Sequence, residues 1–302
     1  MKDNTYSSDN MANVVKMRDI TFDKSLFDNY LTRTPLDQLL CSYNGLPKGV
    51  NYMVIGDPGS GKTTIVLDVL ANITRHYPSA RILFVSAEMN HIDLAAYVQR
   101  YPKFKDIDIL FIESDFCGTE STHNLAAIES TLDQGWDIVA IDSFYELQGI
   151  VREEENIRMK DAENRLLAMI KRNNKGRNKR RTFTTFLTIQ QVTKSGKFVG
   201  SNRLKHSITA MMELRFESQN NVFSDRYIVF TKHRRGDVGI RLYYDLSHTG
   251  DVRFDKDRFD KDARIRKIQS EVASSLRNYA DRFDRLFSNQ DNSSLALTTD
   301  TL

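Results

Sequence analysis

The octet Gly56-Asp57-Pro58-Gly59-Ser60-Gly61-Lys62-Thr63 constrains this chain more than any other feature. It follows a short apolar run at 51–55 and precedes 63–76, where Ile65, Val66, Leu67, Val69, Leu70 and Ile73 give an apolar helix. Glycines let the backbone turn its N–H groups inward, where they bind phosphate oxygens. A helix start placed there adds partial positive charge. In such a loop Lys62 contacts the β- and γ-phosphates and the Thr63 hydroxyl ligates Mg²⁺, with Thr64 continuing the cradle. The chain is therefore expected to bind a nucleoside triphosphate, ATP with Mg²⁺, on a strand–loop–helix unit.

The rest of the chain extends that unit. Apolar strands are expected at 81–86, 107–112, 137–142 and 183–190, separated by helices at 91–101, 125–134 and 153–173. Continuous apolar strands alternating with helices predict a mostly parallel sheet covered on both faces. Beyond it, strand-like runs at 208–216, 226–231, 239–245 and 252–254 are joined by short turns, which predicts an antiparallel C-terminal extension of the same sheet. The fold class is α/β, in three layers. The organisation reads as a tail and linker helix at 1–33, a core at 34–255, and a C-terminal helix with a loose tail at 256–302. In the linker, Phe22, Leu26, Phe27 and Tyr30 form a stripe that suits either a neighbouring subunit or the chain's own core.

Charge and composition restrict the setting more than the chemistry. The 302 residues carry a net charge of +3, which neither demands nor excludes a nucleic acid. No apolar run approaches the roughly 18 residues of a membrane span. The first ten residues do not resemble a secretory leader. Two lone cysteines, Cys41 and Cys117, fit a reducing compartment, so a cytoplasmic location is expected.

Strand ends supply the remaining candidates. Asp142 closes the run Ile138-Val139-Ala140-Ile141, where a carboxylate can hold Mg²⁺ through water or cap the next turn. Glu88 follows the neighbouring strand; it suits a general base at the crevice where parallel strands end, and equally an acid at the start of the helix from His91. Gln191 ends the strand at 183–190 and is by itself an ordinary strand-end amide or a γ-phosphate sensor.

Taken in order, these elements resemble the RecA-like ATPase superfamily, in particular its RadA-, KaiC- and DnaB-type members. The lead-in Thr34-Pro35-Leu36-Asp37-Gln38-Leu39-Leu40 with Gly45-Leu46-Pro47-Lys48-Gly49 is similar to that of RadA and KaiC proteins. So are the phosphate loop, Phe84-Val85-Ser86-Ala87-Glu88-Met89, the stretch Gln191-Val192-Thr193-Lys194-Ser195-Gly196 and the element Lys232-His233-Arg234-Arg235-Gly236. The resemblance implies Glu88 as general base. It implies Lys232 and Arg234 as fingers reaching a neighbouring subunit's γ-phosphate, and hence a homo-oligomeric ring, a hexamer, or a filament. The zinc finger and protease-like domain of RadA and the collar of DnaB have no counterpart, so a stripped motor core is expected.

The same resemblance places two single-strand-binding loops, here at 145–159 and 192–205. The second holds Lys194, Lys197, Arg203 and Lys205 among glycines, a composition suited to a phosphate backbone. The implied activity is a DNA-dependent ATPase, a single-stranded-DNA translocase or helicase or a recombination ATPase; the alternative is a KaiC-like regulatory switch without DNA. A denser basic run, Lys171 to Arg181, is expected at the sheet edge opposite the nucleotide, where it suits incoming DNA or a partner and at least equally a solvated face.

Overall fold

The computed structural model describes residues 16–19, 24–112, 124–191, 201–218 and 221–288. The apolar runs form strands β1 (Asn51–Gly56), β2 (Ile82–Ser86), β3 (Asp108–Phe111), β4 (Ile138–Asp142) and β5 (Thr185–Ile189). The extension supplies β6 (Ala210–Phe216), β7 (Arg226–His233), β8 (Arg241–Leu246) and β9 (Val252–Phe254). All nine lie in one sheet, in the order β3-β2-β4-β5-β1-β6-β7-β8-β9. Strands β1 to β6 pair in parallel, and β6 to β9 pair antiparallel. Every residue of β1, β2, β4 and β5 is buried, which is why these runs are mostly apolar, with polar residues such as Asn51, Ser86 and Asp142 at their ends. Burial turns patchy in β7 and β8, where one face meets solvent.

Side-chain alternation splits the core into two clusters. Tyr52 and Val54 of β1 face the helix after the phosphate loop, whereas Met53 and Ile55 face the other layer. The first layer contains α1 (Asp37–Leu40), α2 (Lys62–His76) and α3 (His91–Arg100). The second contains α4 (Asn124–Asp133), α5 (Phe144–Glu154), α6 (Met159–Asn174) and α7 (Asn202–Ser207). Helix α8 (Lys256–Ser288) follows β9 and packs against β8.

Three expectations change. The helix expected at 153–173 starts only at Met159, as α6, and a separate helix, α5, begins directly after β4. Ser143 caps α5 by accepting from the Glu146 N–H, and Phe144, Leu147 and Val151 bury one stripe of it completely. The segment expected as an axial loop, 145–159, is therefore mostly helix, with Asn156 at φ +48° turning the chain into α6. In the linker, the described residues form two 3-10 turns, Met17–Asp19 and Lys24–Phe27, instead of a continuous helix. Tyr30 packs on the chain's own core: its ring meets Tyr77 edge-on at 5.4 Å and its hydroxyl donates to Asp137 at 2.7 Å. Finally, α8 begins at Lys256, earlier than its apolar periodicity suggests. Residues 1–15 and 289–302, expected as loose tails, and Cys117 lie outside the described residues.

Candidate nucleotide site

β1 delivers the chain to the phosphate loop at Gly56, where a Cβ would sit 2.3 Å from the carbonyl oxygen of Leu214 on β6. Only glycine fits that approach. Gly59 and Gly61 follow with φ of +75° and +92°, and Gly61 is the N-cap of α2. The loop is fastened from the antiparallel strands. Tyr244 donates its hydroxyl to the Ser60 carbonyl at 2.6 Å, and Leu246 packs against Gly61. Asp57 does not face the cavity chemistry; its carboxylate accepts from Arg215 at 2.9 Å and from the Phe216 N–H at 3.3 Å, tying the loop to β6. Arg215, Tyr244 and Leu246 were not singled out in the sequence. Nothing in the sequence of β6 and β8, which also carry Glu213, Arg241 and Asp245, sets them apart.

A cavity of ≈ 510 Å³ opens in front of this loop. It is lined by Gly56, Pro58, Gly59, Gly61, Lys62, Thr63 and Thr64, and from neighbouring strand ends by Glu88, Asp142 and Gln191. Met89, Tyr97 and Ile189 complete it. The Lys62 ammonium donates to the carbonyls of Gly56 and Asp57 at 3.1 and 3.2 Å, and burial lowers its pKa. Thr63 donates its hydroxyl to Asp142 at 2.6 Å. Burial pushes the Asp142 carboxyl up to about 6, and Glu88 adds to the rise while the Thr63 bond and Lys62 oppose it. The Asp142–Ser143 peptide is cis. Thr64 shares a 2.6 Å hydrogen bond with the Tyr97 hydroxyl, which positions α3 over the site.

Two strand-end residues have neighbours that bear on their roles. Asn90, not Glu88, caps α3, accepting from the N–H groups of Ile92 and Asp93. Glu88 is exposed to the cavity and has no capping duty. Gln191 is half-buried at the cavity, with its amide 3.4 Å from Glu146 of α5.

The residues fit a magnesium triphosphate. The first N–H groups of α2 have no acceptor within the helix. The one hydroxyl and one carboxylate at Thr63 and Asp142 are the hard oxygen donors that Mg²⁺ prefers, leaving its other positions to water and phosphate. Among the described residues no group of three or more His, Cys, Asp or Glu is arranged to hold a metal. A second cavity of ≈ 560 Å³ beside α2 holds Asp68, Lys103 and Asp251, but these charges pair with one another at 2.6 and 3.4 Å.

Lys232 and Arg234 are not in the cavity. They end β7 at the opposite edge of the sheet, where the parallel strands begin: His233 pairs with Ala210, while Gly56 pairs with Leu214. Four residues of strand from Leu214 to Ala210 span about 13 Å. Both cations bond the C-terminal carbonyls of α7, Lys232 to Lys205 and Arg234 to His206 at 3.0 Å. Arg203 of the same helix donates to Asn164 at 2.6 Å. Thus Lys205 belongs to the lower edge and Arg203 to the side of α6; neither lies at the nucleotide. Lys194 and Lys197 lie outside the described residues.

Comparison with known proteins agrees with this geometry. A family model described as AAA domain matches residues 17–197, more than half of the chain. Among solved structures, the KaiC-like protein PH0186 from the hyperthermophilic archaeon Pyrococcus horikoshii OT3 superposes with a TM-score of 0.57. It is 18% identical, over 75% of this chain and 98% of that one. The flagellar accessory protein FlaH from Methanocaldococcus jannaschii superposes with a TM-score of 0.52 at 12% identity, over 74% of this chain and 96% of that one. No curated protein sequence matches the chain. No described helix is long and apolar enough to cross a membrane. A phosphate loop held between a parallel sheet and its antiparallel extension is the RecA-like arrangement, and the chain belongs to the AAA domain family of P-loop ATPases.

Proposed function

We propose that the protein hydrolyses ATP as a homo-oligomer, a ring or a filament, with each site completed by the next subunit. The loop 56–63 and Thr64 hold the triphosphate, with Lys62 on the β- and γ-phosphates. Thr63 and Asp142 hold Mg²⁺, which when bound neutralises phosphate charge. Glu88 orients and deprotonates the attacking water, and Gln191 reads the γ-phosphate from the end of β5. Lys232 and Arg234 of one subunit serve the nucleotide of its neighbour. The observation that carries this reading is their position at the far edge of the sheet, which leaves them no path to their own phosphate loop.

The finer reading is that turnover drives movement along single-stranded DNA. It is supported by the bonds from Lys232 and Arg234 to α7, which connect a neighbour's nucleotide to the helix carrying Arg203 and Lys205. A regulatory ATPase without DNA is favoured by one observation: α5 occupies most of the first expected DNA loop. ATPase rates with and without single-stranded DNA, at low and high salt, separate the two; absence of both binding and stimulation removes the motor reading. The shared site is tested by mixing Lys62→Ala with Arg234→Ala chains, each inactive alone. Activity should return in the mixture, because some junctions then keep both intact halves. No recovery, with assembly intact, counts against fingers acting across subunits.

A further inference from the structure

The lower edge of the sheet, beside Lys232 and Arg234, carries a further surface. Strands β5, β1, β6 and β7 are neighbours, so the segments at their lower ends form one continuous rim. Direct contacts join these segments. Gly49 donates its N–H to the Phe183 carbonyl at 3.1 Å, Arg235 reaches the Lys48 carbonyl at 3.5 Å, and Ser42 donates to the Arg235 carbonyl at 2.8 Å. The Phe183 ring lies over Gly176, whose Cβ would be 3.7 Å from it. Residues distant in sequence thus meet on one face.

That face is rich in cations, with Asp237 the exposed acid near its Arg235 end. Lys175, Arg177, Arg181 and Arg235 are exposed, and Lys48 is half-buried. None has a carboxylate within ion-pair distance among the described residues. Where their charged groups are engaged, the acceptors are neutral carbonyls: Lys48 donates to Ser25 at 2.9 Å, and Arg235 to Lys48. By contrast Arg172, just before this stretch, is paired with Glu129 and Asp133. A basic stretch that serves only solubility is usually interspersed with acids.

Two aromatic rings stand among these cations. Tyr43 is 84% exposed on the turn after α1, next to Ser42, and Phe183 is 39% exposed beside Gly176. Tyr43 and Phe183 thus offer ring faces to a partner beside groups that carry positive charge. Bases stack on such rings whatever their identity, while cations follow the phosphate backbone.

We propose that this rim binds single-stranded nucleic acid, with Lys175, Arg177, Arg181 and Arg235 on phosphates and Tyr43 and Phe183 stacking on bases. The surface lies at the sheet edge opposite the phosphate loop and adjoins Lys232 and Arg234, whose side chains turn to α7 instead.

The test uses full-length protein and a fluorescent 20-nucleotide oligothymidylate, read by anisotropy across a salt series. Lys175→Glu/Arg177→Glu/Arg181→Glu should weaken binding at least tenfold and flatten the logarithmic salt slope by about two, since each lost phosphate contact on a single strand removes ~0.7. Tyr43→Ser/Phe183→Leu should weaken binding about tenfold or more with the salt slope unchanged, as loss of stacking predicts. Both variants should keep the ATPase rate measured without nucleic acid, which also shows that they fold. The proposal is overturned if wild type does not bind the oligonucleotide, or if both variants bind as wild type does. It is equally overturned if only Lys194→Ala/Lys197→Ala loses binding, or if polyglutamate displaces the probe as well as unlabelled oligothymidylate, which would mark a surface for acidic protein.

Discussion

Glu88 and His233 show how neighbours assign a residue its task. With Asn90 capping α3, the Glu88 carboxylate is left to the cavity. Glu88→Gln should lower kcat by about 10²–10⁴, the usual worth of a positioned general base, while binding of a fluorescent ATP analogue stays unchanged; loss of binding instead would make Glu88 structural. His233 sits between the two proposed fingers. Its Nε2–H lies 3.1 and 3.2 Å from the carbonyls of Leu39 and Leu40, and its Nδ1 accepts the Arg235 N–H at 3.1 Å. Those partners require the neutral ring. Burial lowers its pKa, against the pull of the two carbonyls. The unfolded chain therefore binds a proton more readily, so stability present above the unfolded value of about 6.5 declines as pH falls from there towards the folded value. Urea unfolding at pH 7.5 and 5.5 should show this acid loss in wild type and a smaller one in His233→Gln; equal losses would remove His233 as the cause. The phosphate loop was legible in the sequence because its chemistry is written in consecutive residues. The ties from Arg215 and Tyr244 were not, because they depend on which strands become neighbours.

At the level of elements, continuous apolar runs identified β1 to β5, while β6, expected in the antiparallel extension, pairs in parallel with β1. The antiparallel extension was legible from its short turns. Helix α5 was missed because its stripe begins within a single residue of the strand before it, and because a loop was expected there. Its Phe144, Leu147 and Val151 have helical spacing and are fully buried against β4 and α6. Phe144→Ala should cost about 3–5 kcal/mol in chemical denaturation; a loss under ~1 kcal/mol would mean that α5 is loosely held. Short α7 shows a different dependence. Ser201 caps its start and bonds Glu163 of α6, while Lys232 and Arg234 hold its end. A six-residue helix has little stability of its own, so its position follows whatever the two cations bind.

For the whole molecule, a site divided between subunits makes activity a function of concentration. ATPase activity per chain should fall on dilution in step with the mass measured by light scattering. Constant activity down to the monomer would refute the divided site. The strand order has a further consequence, for the making of the chain. β1 is among the first strands synthesised, yet both its partners come late: Tyr52 pairs with Leu187 and with Ala210. The loops that must close are more than a hundred residues long, and such distant pairings slow folding. On the ribosome the phosphate loop thus waits, without the strands that shape it, until β6 has emerged. A fragment ending before β5 retains the whole octet and none of the neighbours that hold it open, so this nucleotide site is among the last features of the domain to form.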